Sequence, residues 1–137
     1  MRFSTMVKGG RSRPVLPLIV ESLSGQRIVI DALLDTGADL SLLPVDVAIA
    51  LGIDLLTLPQ TPVSSALGQQ LTYAPLDLMM ELRSMPDVYR WRAHVGILSQ
   101  SMTYSILGTR GFFEHFRLCY EWSAQLIEIE PSGPLPQ

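Results

Sequence analysis

Apolar residues fall along this chain in short runs separated by Gly, Pro, Ser and Asp, and most runs alternate with polar positions at the two-residue period of a strand. Pro14 to Val20 reads as a first strand, Ser22-Leu23-Ser24-Gly25-Gln26 as turn chemistry, and Arg27 to Leu34 as the returning strand of a hairpin. In that second run Ile28, Ile30, Ala32 and Leu34 share one face and Val29, Asp31 and Leu33 the other. The pattern predicts a largely buried strand that delivers Asp35 at its end. Asp35-Thr36-Gly37-Ala38-Asp39 then breaks the run, since Gly37 permits a tight path and short polar side chains bond local backbone.

Pro44 suits the opening of a helix running to about Ala50, with Gly52 as its stop and Val47, Ala50 and Leu51 on its inner side. Residues 60 to 70 carry Pro62, Ser64, Ser65 and Gly68 and predict an exposed hairpin tip. Leu76, Leu78, Met80 and Leu82 alternate with Asp77, Met79 and Glu81, so the methionines read as core rather than as metal ligands. Ser84-Met85-Pro86-Asp87 turns the chain into a strand from Val88 to Leu98, with Tyr89, Trp91, Ala93, Val95 and Ile97 on one face. Ile106-Leu107-Gly108 predicts a short buried strand. Thr109 is placed to cap a helix over Arg110 to Phe116, and Leu118-Cys119-Tyr120 with Leu126 to Ile129 predicts a closing strand pair.

The 137 residues fit one domain, and a composition 47% hydrophobic and 17% charged is that of a folded chain. Ten Gly and ten Pro favour strands and turns over long helices. No apolar run is long enough to span a membrane, and none follows the first basic residues as a signal peptide requires. Charge is split: Arg2, Lys8, Arg11 and Arg13 stand near the N-terminus without an acid. The rest holds 13 acids against six bases, a net −7. Such a body is poorly suited to gripping a phosphate backbone, so nucleic acid is not expected as a partner. Residues 1–13 read as a flexible basic leader and 131–137 as a loose tail.

Three residues invite chemical readings and give ordinary ones. His94 and His115 lack neighbours at ligand spacing, so His94 reads as a solvent-side strand residue, His115 as a helix residue, and no metal site is expected. Cys119 has no cationic or helix-terminal setting and reads as a small buried hydrophobe. As the lone cysteine it forms no intrachain disulfide, which suggests a reducing, cytoplasmic setting.

The segment Ala32-Leu33-Leu34-Asp35-Thr36-Gly37-Ala38-Asp39-Leu40-Ser41 resembles the catalytic turn of single-domain, retropepsin-like aspartic proteases. The resemblance extends to Pro44 before a short helix, to Leu51-Gly52-Ile53, and to Ser105-Ile106-Leu107-Gly108 about 70 residues later, with bacterial and retrotransposon-like members nearer in pattern than the retroviral enzymes. It covers roughly residues 14–130. It implies an all-β, closed barrel-like fold with one or two short helices, and an aspartic endopeptidase without a cofactor.

The chain has one Asp-Thr-Gly and no second. Two carboxylates held about 3 Å apart share a proton because both cannot ionise cheaply, and that shared proton makes one a base and the other an acid near working pH. Catalysis therefore predicts a twofold homodimer that pairs Asp35 with its symmetry mate. The resemblance further implies that Thr36 bonds across to the other subunit's turn, that Gly37 offers an N–H to the acids, and that Ala38 and Ile106 wall substrate pockets. It makes Asp39 a contact for substrate backbone or for Arg110, makes Gly108 and Arg110 structural, and assigns Ala66, Leu67 and Gly68 to a flap over an extended peptide. The competing reading is a noncatalytic protease-like module that dimerises or binds peptides without cutting them.

Overall fold

The computed structural model describes residues 1–65 and 67–137. Among these residues twelve strands and one α-helix follow in order: β1 (Arg2–Ser4), β2 (Met6–Lys8), β3 (Arg11–Arg13), β4 (Val15–Glu21), β5 (Arg27–Leu34), β6 (Leu42–Leu43), α1 (Val45–Ala50), β7 (Thr61–Ser64), β8 (Gln70–Ser84), β9 (Asp87–Leu98), β10 (Ser105–Leu107), β11 (Phe116–Glu121) and β12 (Leu126–Pro131). A single 3-10 turn, Leu55–Thr57, follows the helix.

Strands β4, β5, β10, β6, β9 and β8 pair in that order, and β8 pairs back onto β4, so six strands close into a barrel-like ring with β7 hung outside β8. Pairs β5–β10 and β6–β9 are parallel, and the remaining pairs of the ring are antiparallel. Closure leaves the ring itself no edge. The β4–β5 hairpin turns where Ser22 N–H donates to Gln26 O (2.9 Å) and Gly25 takes φ 86°, a left-handed conformation that glycine adopts at little cost.

The core follows the two-residue period. Leu78, Met80 and Leu82 of β8 and Trp91, Ala93, Val95 and Ile97 of β9 are all buried, and the register sets Met80 against Trp91 and Leu78 against Ala93. Trp91 satisfies its indole N–H by donating to Gly111 O at 2.9 Å and packs edge-on against Phe116. Phe112 stacks on Phe116 in the same cluster, pinning the segment before β11 to the barrel.

Several expectations need correction. Strand β5 is half-buried rather than largely buried, with Val29 70% exposed and Asp31 exposed, because the ring buries one face only. On α1 the buried positions are Val47, Ala48 and Leu51, while Ala50 is exposed: at 100° per residue Ala48 completes the inward arc that Val47 and Leu51 begin. Pro44 is the cap before the helix rather than its first residue. Residues 112–115 form a turn, not part of a helix over 110–116, since Gly111 takes φ 89° just before them and Phe116 already opens β11. Thr109 O still accepts from Glu114 N–H, and His115 lies in that turn. Cys119 is exposed, since Phe116, Leu118 and Tyr120 take the inner positions of β11 and leave the odd positions outward.

The ends also differ from a loose leader and tail. Strand β1 pairs with β12, Met1 and Phe3 pack on the core, and β2 and β3 form a hairpin with Gly9 and Gly10 at its bend. Met1 and Phe3 carry an inward alternation that the basic charges conceal. At the other end Leu135 packs against the core and Arg92 N–H donates to Pro136 O at 2.8 Å. No helix among the described residues is long and apolar enough to cross a membrane.

Candidate active site

Asp35 leaves β5 at the point where the strand is most firmly held. Leu34 N–H donates to Pro14 O at 2.9 Å, and Asp35 N–H donates to Leu107 O of β10 at 3.0 Å. Leu34 is buried beneath, so the carboxylate stands on a strand end anchored on both sides. The chain then folds over, Ala38 N–H donating to Asp35 O at 3.1 Å, while Gly37 N–H donates to Asp35 Oδ1 at 2.9 Å. A Cβ on Gly37 would lie 3.3 Å from that same oxygen, so glycine lets the backbone come close to the acid.

A second segment braces this turn from below. Thr109 N–H donates to Ala38 O at 2.8 Å and Arg110 N–H to Asp39 O at 3.0 Å. Ser41 is fully buried between the two: its Oγ donates to Arg110 O (2.8 Å) and accepts from Gly108 N–H (3.0 Å). Gly108 is where the segments touch, since a Cβ there would fall 2.6 Å from Leu40 O and 2.7 Å from Ala38 O. Gly111 is as crowded, with His94 O at 2.7 Å from its would-be Cβ. The sequence pattern contains Ser41 but gives no hint that its hydroxyl joins two turns, and Gly111 carries no local signal beyond being glycine.

The turn opens on a cleft of about 350 Å³. Asp35, Gly37, Ala38, Asp39 and Ile106 all line it, so five of the residues singled out in the sequence meet at one cavity. Val63, Ser64, Ser65 and Leu71 of the β7–β8 hairpin line it as well, together with Gln100 and Met102. Ser64 and Ser65 fall in the expected hairpin tip, while Val63 and Leu71 carry no signal of their own and reach the cleft through the pairing of β7 with β8.

Other expected residues stand apart. Leu67 is 97% exposed and Gly68, at φ 79°, shapes the hairpin tip, where Gly68 N–H donates to Ser65 O; neither lines the cleft. Ala66 lies outside the described residues. Thr36 is exposed beside the acid. Arg110 meets Asp39 through the main chain, and among the described residues no ion pair joins their side chains. Nor do three His, Cys, Asp or Glu side chains converge as metal ligands among those residues. His94 Nδ1 and the Arg92 guanidinium both contact the Asp77 carboxylate, and the His94 bond first, with Arg92 charge behind it, holds Asp77 below the ordinary carboxylate range despite partial burial.

This closed six-stranded ring matches the retropepsin-like aspartic protease fold. The chain superposes on the solved structure of a retropepsin-like aspartic protease from Rickettsia conorii with a TM-score of 0.65, covering 95% of this chain and 98% of that one at 19% identity. A second structure, EIAV protease complexed with the inhibitor HBY-793, aligns at a TM-score of 0.44 and 17% identity over 75% of this chain and 88% of that one. No protein-family model and no curated protein matches the sequence.

Proposed function

We propose that the protein is an aspartic endopeptidase that works as a homodimer, with Asp35 and Asp35 of the partner subunit forming the catalytic pair. The observation that carries this reading is the Asp35 carboxylate, held by the Gly37 N–H, in the lining of a cleft that the β7–β8 hairpin also lines. One chain brings one such turn, so a symmetric partner supplies the second acid.

The pair shares one proton, because two carboxylates held so close cannot both ionise cheaply. The ionised carboxylate removes a proton from the water between them as its oxygen attacks the scissile carbonyl carbon. The protonated carboxyl hydrogen-bonds to the developing oxyanion. The tetrahedral intermediate then expels the amine as the C–N bond breaks, and a proton from the dyad goes to the leaving nitrogen. Thr36 holds the two turns together across the axis, and Gly37 N–H lowers the cost of the carboxylate charge. Ala38 and Ile106 wall side-chain pockets, and Asp39 meets the backbone of an extended substrate. Ser64, Ser65 and the tip that carries Ala66, Leu67 and Gly68 act as the flap, while Gly108 and Arg110 keep the turn rigid.

Cleavage of a diverse peptide library between about pH 3 and 8, a range that brackets carboxylate titration, tests this reading. Wild type should cut with an acid-dependent profile, and Asp35→Asn should lose the cuts while remaining folded. A dimeric wild type that binds peptides and cuts none would mean the noncatalytic module instead.

A further inference from the structure

A second cleft, of about 570 Å³, opens beside the β2–β3 hairpin. Arg11, Arg13, Pro14, Leu33, Trp122 and Gln125 line it. The proposed reaction does not use it, and its charge is all of one sign.

The hairpin gathers cations on one face. Gly9 and Gly10 make its two-residue turn at φ 59° and 72°, and the register sets Lys8 opposite Arg11 and Met6 opposite Arg13. Facing residues share a side of the sheet, and Arg11 and Arg13 stand two apart on one strand, so Lys8, Arg11 and Arg13 point the same way. Like charges set directly opposite repel. Lys8 holds its ammonium over the Tyr104 ring, 5.4 Å from the centroid, but among the described residues none of the three cations pairs with an acid. Arg2, Arg27, Arg83, Arg90 and Arg92, by contrast, each meet a carboxylate. The hairpin is therefore a place where an added anion relieves repulsion.

The rest of the lining is largely apolar and held in place. Trp122 is 65% exposed, yet Tyr120 braces its ring edge-on at 5.7 Å. Gln125 ends the same turn at φ 52°, an uncommon conformation for a residue with a side chain, and Thr5 N–H donates to its carbonyl at 2.9 Å. Aromatic and aliphatic walls keep water from surrounding a bound charge, which strengthens an arginine–carboxylate bond beyond its value in open solvent.

Position ties this cleft to the Asp35 cleft. Leu33 of β5 pairs with Ile106 of β10, so the two side chains stand next to each other, about 4.8 Å apart along the ladder. Leu33 lines the cationic cleft and Ile106 the Asp35 cleft. An extended peptide lying across Asp35 thus reaches the arginines within a few residues of the bond to be cut.

We propose that this cleft binds the carboxylate of an acidic residue in an extended peptide, so that Asp or Glu near the cut bond marks the substrate. Arg11 takes the carboxylate through its planar fork, Arg13 adds charge two residues along, and Trp122 packs against the methylenes of the acidic side chain. A peptide suits the cleft better than a nucleic-acid strand, because two arginines sit among apolar walls while the chain beyond Pro14 has 13 acids against six bases. The inference rests on the endopeptidase reading for its substrate and on the hairpin and cleft for its geometry.

Two readouts test it. Decapeptides that differ only by Glu or Gln at one position, cleaved at about pH 6 where Glu is ionised, should show kcat/KM about tenfold higher with Glu at a position flanking the cut. Arg11→Glu should reverse that order and favour Lys at the same position, a swap that a merely structural role for Arg11 would not produce. Without any cleavage, N-acetyl-triglutamate amide should shift the emission of Trp122 in Asp35→Asn, and its triglutamine counterpart should not. The other tryptophan, Trp91, is fully buried, and Trp122→Phe identifies the signal. Arg11→Glu should abolish the shift. A preference or a shift that survives Arg11→Glu would overturn the proposal, and so would an oligothymidylate that displaces triglutamate at equal charge, which would mean phosphate recognition. A chain that cuts nothing yet binds triglutamate through Arg11 sinks the endopeptidase alone. A chain that cuts without regard to Glu and gives no emission shift sinks the acid-binding cleft alone.

Discussion

Gly108 and Ser41 decide how firmly the Asp35 turn is held, and neither touches substrate in the proposed reaction. Replacing Gly108 with Ala drives a Cβ to 2.6 Å from Leu40 O, so backbone must move. The expected cost is about 1–3 kcal/mol of stability, visible as a lower urea midpoint, with a matching loss of cleavage rate. Ser41→Ala leaves Gly108 N–H buried without an acceptor and should cost about 1–3 kcal/mol in the same assay. Asp35→Asn should behave oppositely, keeping the midpoint while cleavage falls about a thousandfold or more. At this scale the sequence is most legible where chemistry and backbone coincide: Asp35, Gly37 and Gly108 are readable because one carries the charge and two permit close approach. Ser41 and Gly111 are not, since a hydroxyl linking residues far apart in sequence, or a glycine pressed against His94 O, has no local signature.

Among the elements, the long β8–β9 hairpin carries most of the barrel and also a buried acid. Glu81 is 7% exposed on its side chain, with Arg83 and Arg27 bonded to it, Arg27 Nη2 at 3.0 Å. Burial pushes its carboxyl up, but the Arg83 bond and the charges of Arg27 and Arg83 together outweigh burial and hold it below the ordinary range. A carboxyl depressed in the folded state stabilises the fold above its unfolded value, and that contribution is lost as pH falls through the folded value. Glu81→Gln should therefore be less stable than wild type at neutral pH, with the gap closing below the ordinary carboxylate range. A gap that stays constant in urea melts across that range would contradict the assignment. The alternation of β4, β5, β8 and β9 was readable because each strand has one face in the core. A helix over 110–116 fits the spacing of Phe112, Phe113 and Phe116, but the left-handed Gly111 just before them turns the chain toward β11 instead. Cys119 was misplaced for a related reason: its position on β11 follows from strand parity, not from its own polarity.

For the whole molecule, the barrel needs nothing beyond this chain, but the proposed chemistry does. The basic N-terminal segment also shows how charge misleads when read without alternation, because Arg2, Lys8, Arg11 and Arg13 hide Met1 and Phe3, which dock on the core and build β1 onto β12. The hairpin tip around Ser64 and Ser65 is legible as a turn, but its place at the cleft is not, as only the β7–β8 register carries it there. The central claim is that each active site draws one aspartate from each of two chains, and mixing wild type with Asp35→Asn at fixed total protein tests it directly. Random pairing makes only the wild-type pairs active, so an equal mixture should retain about a quarter of the wild-type rate. Retention of about half, a rate proportional to the wild-type share, would mean that one aspartate suffices and would contradict the shared dyad.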